Sequence, residues 1–262
     1  MFEITRYESE RRVLASGALA VGLALMAAMF LAIAPDIISQ VDLEAYAEAL
    51  PPAFSNAFDI AAMGTVEGFL ATELYQFGWV ILLGLYLAYS AAGLIAGDVE
   101  RDRMDLLLAN PVSRRRVVVE KFLSLLLPIL VVNVVVGAVV YAGAALVGEP
   151  LAPVDVVAVH ALSVPYLLTC AAIGLLLSVL ARRESVAQRG AAGVVFGLFM
   201  LETLLTGTDY EPLARLSPTW YYDPMAILVE SSYDLVGAAL LLVAAAALVA
   251  LSARRFTRMD VR

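Results

Sequence analysis

Lysine, histidine and cysteine each occur once in this chain, as Lys121, His160 and Cys170. A nucleotide-binding P-loop needs its lysine behind a glycine-rich turn and before Ser or Thr, but Phe122 follows Lys121 and no such turn precedes it. A hydrolytic metal centre needs at least two ligands at helical spacing, and His160 has no second histidine beside it. We therefore expect a chain that binds no nucleotide, metal or other cofactor itself, hydrolyses no ATP alone and is not an enzyme.

Several other side chains are candidates for binding at the outer face. His160 is interpreted as an interfacial histidine near the outer end of an apolar stretch, with a pH-dependent or ligand-binding role as the alternative. Glu202 lies near the outer end of another stretch, where it either lines a vestibule or contacts a substrate. Trp220 and Tyr221 follow Pro218 and are either interfacial anchors or part of an exit gate.

The most charged stretch is "AGDVERDRMDLLLANPVSRRRVVVEKF", residues 96–122, which lies between two long apolar runs. Its apolar residues recur at helical spacing while its charges fall elsewhere, which predicts a short amphipathic helix. Asn110–Pro111 ends that helix, and Ser113 is a candidate N-cap for the next one. Because the charges alternate in sign, the segment suits a protein partner better than anionic lipid. The alternative is a solvated loop whose arginines anchor the membrane surface.

These residues must be positioned by membrane helices, because 62% of the chain is apolar and only 16% is charged. The apolar residues come in blocks of about 20, long enough to cross a bilayer, and continuous Leu/Val/Ala runs satisfy their backbone groups as helices. The sequence predicts an all-α, polytopic fold in which residues 1–262 form a single domain. The six predicted spans are 13–34, 76–96, 117–147, 156–181, 190–206 and 236–253.

The basic residues orient this bundle, since Lys and Arg near span ends stay on the cytoplasmic side. All except Arg215 lie on one side if both termini are cytoplasmic, so we expect a multi-pass protein of the plasma membrane. The alternative for the first apolar run is a signal peptide with an A-x-A cleavage site at Ala32 and Ala34. A short interfacial helix is expected ahead of that run, and an amphipathic helix is expected in "DLEAYAEAL", residues 42–50.

Two ridges of small residues could bring helices close together in lipid. They are Ala18 with Gly22 in the first span and Gly193 with Gly197 in the fifth. Such spacing favours close backbone approach, either within the chain or between two copies.

The charged segment resembles the first cytoplasmic loop of ABC-2 type transporter permeases. The pattern of that family is an acidic residue, then E-x-G-T, a Leu-Leu pair, P-[VI]-S-R and a lysine. Asp102 and Arg103 stand where the family usually has Gly-Thr. "LSPTWYYDP" at 216–224 and "RRFTRMDV" at 254–261 resemble later segments of the family in the right order. The matching positions in the first loop are Asp98, Glu100, Leu106, Leu107, Pro111, Val112, Ser113, Arg114 and Lys121.

The resemblance implies a permease subunit, an exporter, that pairs as a dimer with itself or a related permease. Two separate ATP-binding subunits would hold the ATP and Mg and receive the cytoplasmic coupling helix 98–113 between spans two and three. Spans one and five would form the dimer seam, and lipid but no nucleic acid would be a partner. The alternative function is a membrane anchor or mechanical transmitter that recruits an ATPase without transport. The residues assigned to ATPase coupling are Asp98, Glu100, Arg101, Leu106, Leu107, Pro111, Arg114 and Lys121.

The charge composition predicts a salt-loving host, such as a halophilic archaeon. The formal net charge is −8, and the chain has one lysine against sixteen arginines. Many acidic residues fall in the expected outer segments, where hydrated carboxylates keep a protein soluble at high salt. We expect the purified chain to bind more ions at high salt than a permease of ordinary composition; ion counts that do not differ would contradict this prediction.

Overall fold

The computed structural model describes residues 3–40 and 64–259, and these residues form helices and turns without a strand. The short helices α3, α7 and α8 lie between the long ones, with a 3₁₀ turn at Pro218–Tyr221. The helices are α1 (Glu3–Gln40), α2 (Val66–Glu100), α3 (Arg103–Leu108), α4 (Arg114–Leu146), α5 (Pro153–Leu180), α6 (Glu184–Leu205), α7 (Glu211–Ala214), α8 (Pro224–Leu228) and α9 (Leu235–Thr257).

Five of the described helices are long and apolar enough to cross a membrane, namely α1, α2, α4, α5 and α9. They contain five of the six predicted spans. The remaining predicted span, 190–206, which is the fifth along the chain, corresponds to the 22-residue helix α6. Arg189 and Glu202 interrupt the apolar stretch of α6, which is why it is not among the five. The all-α membrane fold is thus confirmed, and the count of six spans stays a prediction.

The expected separate interfacial helix at the start of the chain is wrong. One helix, α1, runs without a break from Glu3 to Gln40 and continues through Pro35. Its first turn is held by α4, because the backbone N–H groups of Ile4 and Thr5 donate to the buried Glu120 carboxylate at 3.0 and 3.3 Å. This contact provides acceptors that the free end of a helix lacks. The predicted helix at 42–50 lies outside the described residues.

Two of the long helices depart from regular α geometry. In α2, Ala71–Leu83 is π-helical, a form that usually occurs in short pieces at functional sites. In α4, regular helix is interrupted between Leu123 and Leu126. The interruption has a local cause, because Pro128 has no N–H to donate to the carbonyl four residues earlier.

His160 is buried inside the bundle, where side chains of other helices enclose its ring; its interpretation as an interfacial histidine stays a prediction. Its ring nitrogens lie 3.0 Å from the Tyr75 hydroxyl and 3.0 Å from Asn133 Oδ1. Ser163 donates to the same Asn133 oxygen at 2.9 Å, and the Trp79 ring packs against His160. This cluster joins α2, α4 and α5. Partners on other helices, rather than distance from the span end, decided where the ring lies.

The central helix α5 packs closely on α2 at Gly174. A Cβ built at Gly174 would overlap the carbonyl oxygen of Ala88 and lie 2.8 Å from its carbon. Because the obstacle is backbone, no side-chain rotation can relieve the clash. Only glycine permits this crossing.

Gly174→Ala should therefore lower the stability of the folded bundle by roughly 1–3 kcal/mol, as overpacked cores do. The matched control is Gly17→Ala, where an added Cβ meets nothing within 4 Å. Thermal unfolding of both variants in detergent measures the difference, and equal midpoints would contradict the packing argument.

Candidate functional site

The short helix α3 begins at a backbone position that favours glycine. Asp102 has φ 54° and ψ 20°, in the left-handed region, and is the N-cap of α3. This is the position where the ABC-2 pattern usually has glycine, and aspartate is among the few other residues that adopt the conformation readily. The predicted helix over 98–113 is therefore wrong in its bounds: residues 98–100 end α2, and α3 covers only Arg103–Leu108.

One face of α3 is fixed to the bundle and the other is free. Met104 is fully buried, and Leu107 and Leu108 pack half-buried against the core. Leu106 is 73% exposed, and Pro111 in the following corner is exposed as well. The corner then leads into α4, whose N-cap Ser113 accepts a hydrogen bond from the Arg116 N–H at 3.3 Å. The predicted sequence of a helix, a corner and a capped helix is confirmed.

A groove of about 890 Å³ lies between α3 and the first turns of α1. Its floor is apolar around Leu107 and Val112, whereas its walls carry charges of both signs. The residues around it are Glu3, Ile4, Tyr7, Glu8, Arg11, Asp98, Arg103, Leu106, Leu107, Asn110, Pro111, Val112 and Arg116. A mixed lining of this kind suits a protein surface with its own charge pattern.

Lys121 is buried beneath this groove and makes ion pairs to two other helices. Its Nζ lies 2.7 Å from Asp98 Oδ2 on α2 and 2.5 Å from Glu8 Oε1 on α1. The exposed fraction of the lysine side chain is only 2%. Both carboxylates are needed to satisfy an ammonium group that has been removed from water. Glu8, Asp98 and Lys121 therefore join α1, α2 and α4.

Further contacts tie the same region to α6 and α9. Arg101 pairs with Glu184, and Glu100 Oε2 accepts a hydrogen bond from the Glu184 N–H at 2.7 Å, which caps the start of α6. Arg114 donates to the carbonyl oxygens of Phe256 and Met259 at the end of α9. Its guanidinium also lies 5.7 Å from the centre of the Phe256 ring.

The residues assigned to coupling thus fall into two groups. Leu106 and Pro111 are exposed, and Leu107 is half-buried at the groove. The charged members, Asp98, Glu100, Arg101, Arg114 and Lys121, are engaged within the chain. Sequence reasoning missed Glu8, Glu120 and Glu184. One signal in the sequence could have indicated acidic partners: Lys121, the single lysine, lies within a predicted membrane span, where a charge needs an opposite charge beside it.

Within residues 3–40 and 64–259, the small-residue ridges pack against no other helix. Ala18, Gly22, Gly193 and Gly197 are all exposed. A Cβ added at any of the three glycines would meet nothing within 4 Å. Packing against another part of the described chain is therefore not seen at these positions, and their place in a dimer seam stays a prediction.

A second cavity, of about 760 Å³, lies beside the end of α6. Glu202 and Trp220 both line it, whereas Tyr221 does not and donates its hydroxyl to the Arg215 carbonyl at 3.0 Å. Glu202 accepts hydrogen bonds from Thr206 at 3.3 Å and Thr219 at 3.5 Å. Burial raises the pKa of Tyr222 well above its ordinary value, so this phenol stays protonated and donates to the Val159 carbonyl at 3.0 Å.

Long apolar helices joined at one end by buried ion pairs, with a short helix standing beyond that end, define a multi-pass helical membrane protein. The chain belongs to the ABC-2 family transporter proteins, because the model of that family matches residues 10–261. Comparison with curated proteins finds no match. Membership confirms the resemblance and makes the chain a membrane component of a transporter that partners an ABC-type ATP-binding subunit. It gives no support to a halophilic archaeal host, which stays a prediction.

Replacing Lys121 by Met should destabilise the bundle strongly, because Glu8 and Asp98 would be left without their buried partner. Breaking a buried pair in this way typically lowers stability by about 3–5 kcal/mol. Arg6→Met is the matched control, since Arg6 and Glu10 form an exposed pair with 82% and 61% of their side chains accessible. Thermal unfolding in detergent should show a large drop for the first variant and little change for the second. Similar midpoints for both would contradict the central role of Lys121.

Proposed function

We propose that this chain is the permease subunit of an ABC exporter whose ATP is hydrolysed by separate subunits. The observation that carries the proposal is the exposed Leu106 on α3, above a groove of mixed charge and on a base held by buried ion pairs. An exposed leucine beside a concave surface is a suitable anchor for a protein partner. The ATP-binding subunit would seat its own surface on α3 and in this groove, and it would bring the ATP and Mg.

A push on α3 would reach the long helices through the contacts at its base. The Lys121 ion pairs would move α1, α2 and α4 together. Glu100 and Arg101 would pass the motion to α6, and Arg114 would pass it to α9. Because these contacts are short and partly buried, the displacement would be a rigid-body tilt rather than a local bend.

The assembly would contain two copies of the permease, or one copy and a related permease, with two ATP-binding subunits. The exposed small residues on α1 and α6 support this arrangement, since Ala18, Gly22, Gly193 and Gly197 leave room for another helix backbone. The seam would follow these two helices, with lipid around the remaining faces.

Both termini would lie in the cytoplasm, and the cargo would leave through the opposite side. The cavity near Glu202 and Trp220 would then be an outer vestibule, with Tyr221 fixing the segment that borders it. The spanning helices expose mainly Ala, Leu and Val, which favours an apolar or amphipathic cargo. Glu202 would contact the cargo as it leaves.

Leu106→Asp should reduce co-purification of the ATP-binding subunit by at least tenfold, because a charge would replace the exposed apolar anchor. Leu106 is a better position for this test than the half-buried Leu107, where the same change would also disturb folding. The matched control is Leu216→Asp, at a leucine that is 68% exposed between α7 and the 3₁₀ turn. The measurement is the amount of ATP-binding subunit recovered per folded permease. Equal recovery with the unaltered permease and both variants would contradict the proposed docking site.

The alternative is an anchor or mechanical transmitter that recruits an ATPase through the same helix without moving a substrate. The two functions share the docking site and differ in flux. ATP-dependent accumulation of an amphipathic dye in inside-out vesicles supports the exporter, provided that it disappears with Leu106→Asp. Intact complex formation and ATP hydrolysis without flux of any cargo would favour the anchor.

A further inference from the structure

Arg12 lies where the apolar run of α1 begins, and it joins α1 to the Gly84–Glu100 part of α2. It directly precedes the long apolar run of α1, and its Nη1 donates to Ser90 Oγ on α2 at 3.0 Å. Along its length α1 packs mainly on α4, and it has few close backbone approaches to the Gly84–Glu100 part of α2. The Arg12–Ser90 hydrogen bond therefore spans the space between α1 and this part of α2, which we call the crevice.

This crevice contains polar atoms that lack partners. Among residues 3–40 and 64–259, the buried side-chain nitrogens and oxygens without a hydrogen bond are Arg12 Nε and Ser16 Oγ. Ser16 is only 2% exposed and lies one helical turn after Arg12, on the same face. An unpaired polar group in an apolar surrounding is costly, and its presence calls for a partner.

The charge of Arg12 is also uncompensated within the described chain. The two acidic residues nearest to it on α1 are engaged elsewhere, Glu8 with Lys121 and Glu10 with Arg6. Arg12 makes no ion pair with a described carboxylate, and its neighbour Arg11 adds a second positive charge, lying 5.6 Å from the Tyr7 ring. The missing partner is therefore an anion with oxygen acceptors.

We propose that Arg12, Ser16 and Ser90 bind the phosphate group of an anionic phospholipid from the leaflet that α1 enters. A guanidinium binds two phosphate oxygens through a pair of parallel hydrogen bonds, and Arg12 has the Nε edge free for this geometry. Because Arg12 Nε and Ser16 Oγ are both buried in the lipid-free chain, binding would require the half-exposed Arg12 side chain to rotate outward. The inference does not depend on transport or on a partner subunit.

The surrounding charge selects among phosphate-bearing molecules. A phospholipid places its phosphate at the depth where the apolar run begins and its acyl chains along that run. The two unpaired arginines would repel the cation of a zwitterionic headgroup, so the site favours phosphatidylglycerol over phosphatidylcholine. A free phosphate ion would supply the same oxygens without the acyl chains.

The test is native mass spectrometry of the full chain in detergent, titrated with phosphatidylglycerol, phosphatidylcholine or inorganic phosphate. Arg12→Gln should weaken phosphatidylglycerol binding about tenfold, and Arg12→Lys, which keeps the charge but loses the paired geometry, should weaken it less. Arg11→Gln is the control of equal charge and should retain most of the binding. Ser16→Ala should weaken binding about fivefold, the effect of one hydrogen bond, yet leave the lipid-free chain at least as stable, since it removes an unpaired group.

Each outcome decides the matter. The proposal holds if phosphatidylglycerol binds in preference to both other ligands and the Arg12 and Ser16 variants lose that preference. Equally tight binding of phosphatidylcholine would overturn the selection by charge. Equally tight binding of inorganic phosphate would overturn the assignment of the ligand as a lipid. Undiminished binding by Ser16→Ala and Arg12→Lys would overturn the site even if Arg12→Gln failed to fold.

Discussion

A buried ammonium group with two carboxylate partners organises one end of this bundle. Lys121 is removed from water, and such a charge is stable only where opposite charges and hydrogen-bond acceptors surround it. Glu8 and Asp98 meet this requirement from two other helices. The neighbouring Glu120 accepts hydrogen bonds from the first turn of α1, so two consecutive residues of α4 fix both the position and the start of α1. The position of α3 depends on this junction, because α3 follows α2 shortly after Asp98.

The bundle interior has a second polar junction of different character. Tyr75, Asn133 and His160 join α2, α4 and α5 through hydrogen bonds, and the rings of Tyr75 and Trp79 pack against the imidazole. In lipid, where apolar surfaces provide little attraction between helices, such bonds and close backbone contacts hold helices together. The contact of Gly174 with Ala88 provides the close approach between α2 and α5. Neither junction involves the small residues on α1 and α6, which are exposed in the part of the chain that the structure describes.

Hydropathy predicted the membrane helices and most of their positions, because the length of an apolar run is a local property of the chain. It could not predict that α1 continues through residues 3–12, since the partner that holds this turn, Glu120, is distant in sequence. The same limit explains His160, whose place was set by Tyr75 and Asn133. At α3, Asp102 replaces the glycine of the family pattern, and this made the start of the helix ambiguous in the sequence. A glycine there would have indicated the left-handed backbone that Asp102 in fact adopts. Local pattern gave the element, and tertiary contacts gave its bounds.

Under the proposed coupling role, the separation of the assigned residues into exposed apolar and internally paired charged groups would have a mechanical meaning. A lever needs a surface that a partner can hold and a base that does not yield when the surface is pushed. Leu106 and Pro111 supply the first, and neither is needed to hold the long helices together. Asp98, Arg114 and Lys121 supply the second, because their partners lie on α1, α2, α4 and α9. In the proposed mechanism, recognition of the partner and transmission of its motion would therefore depend on different residues of one short segment.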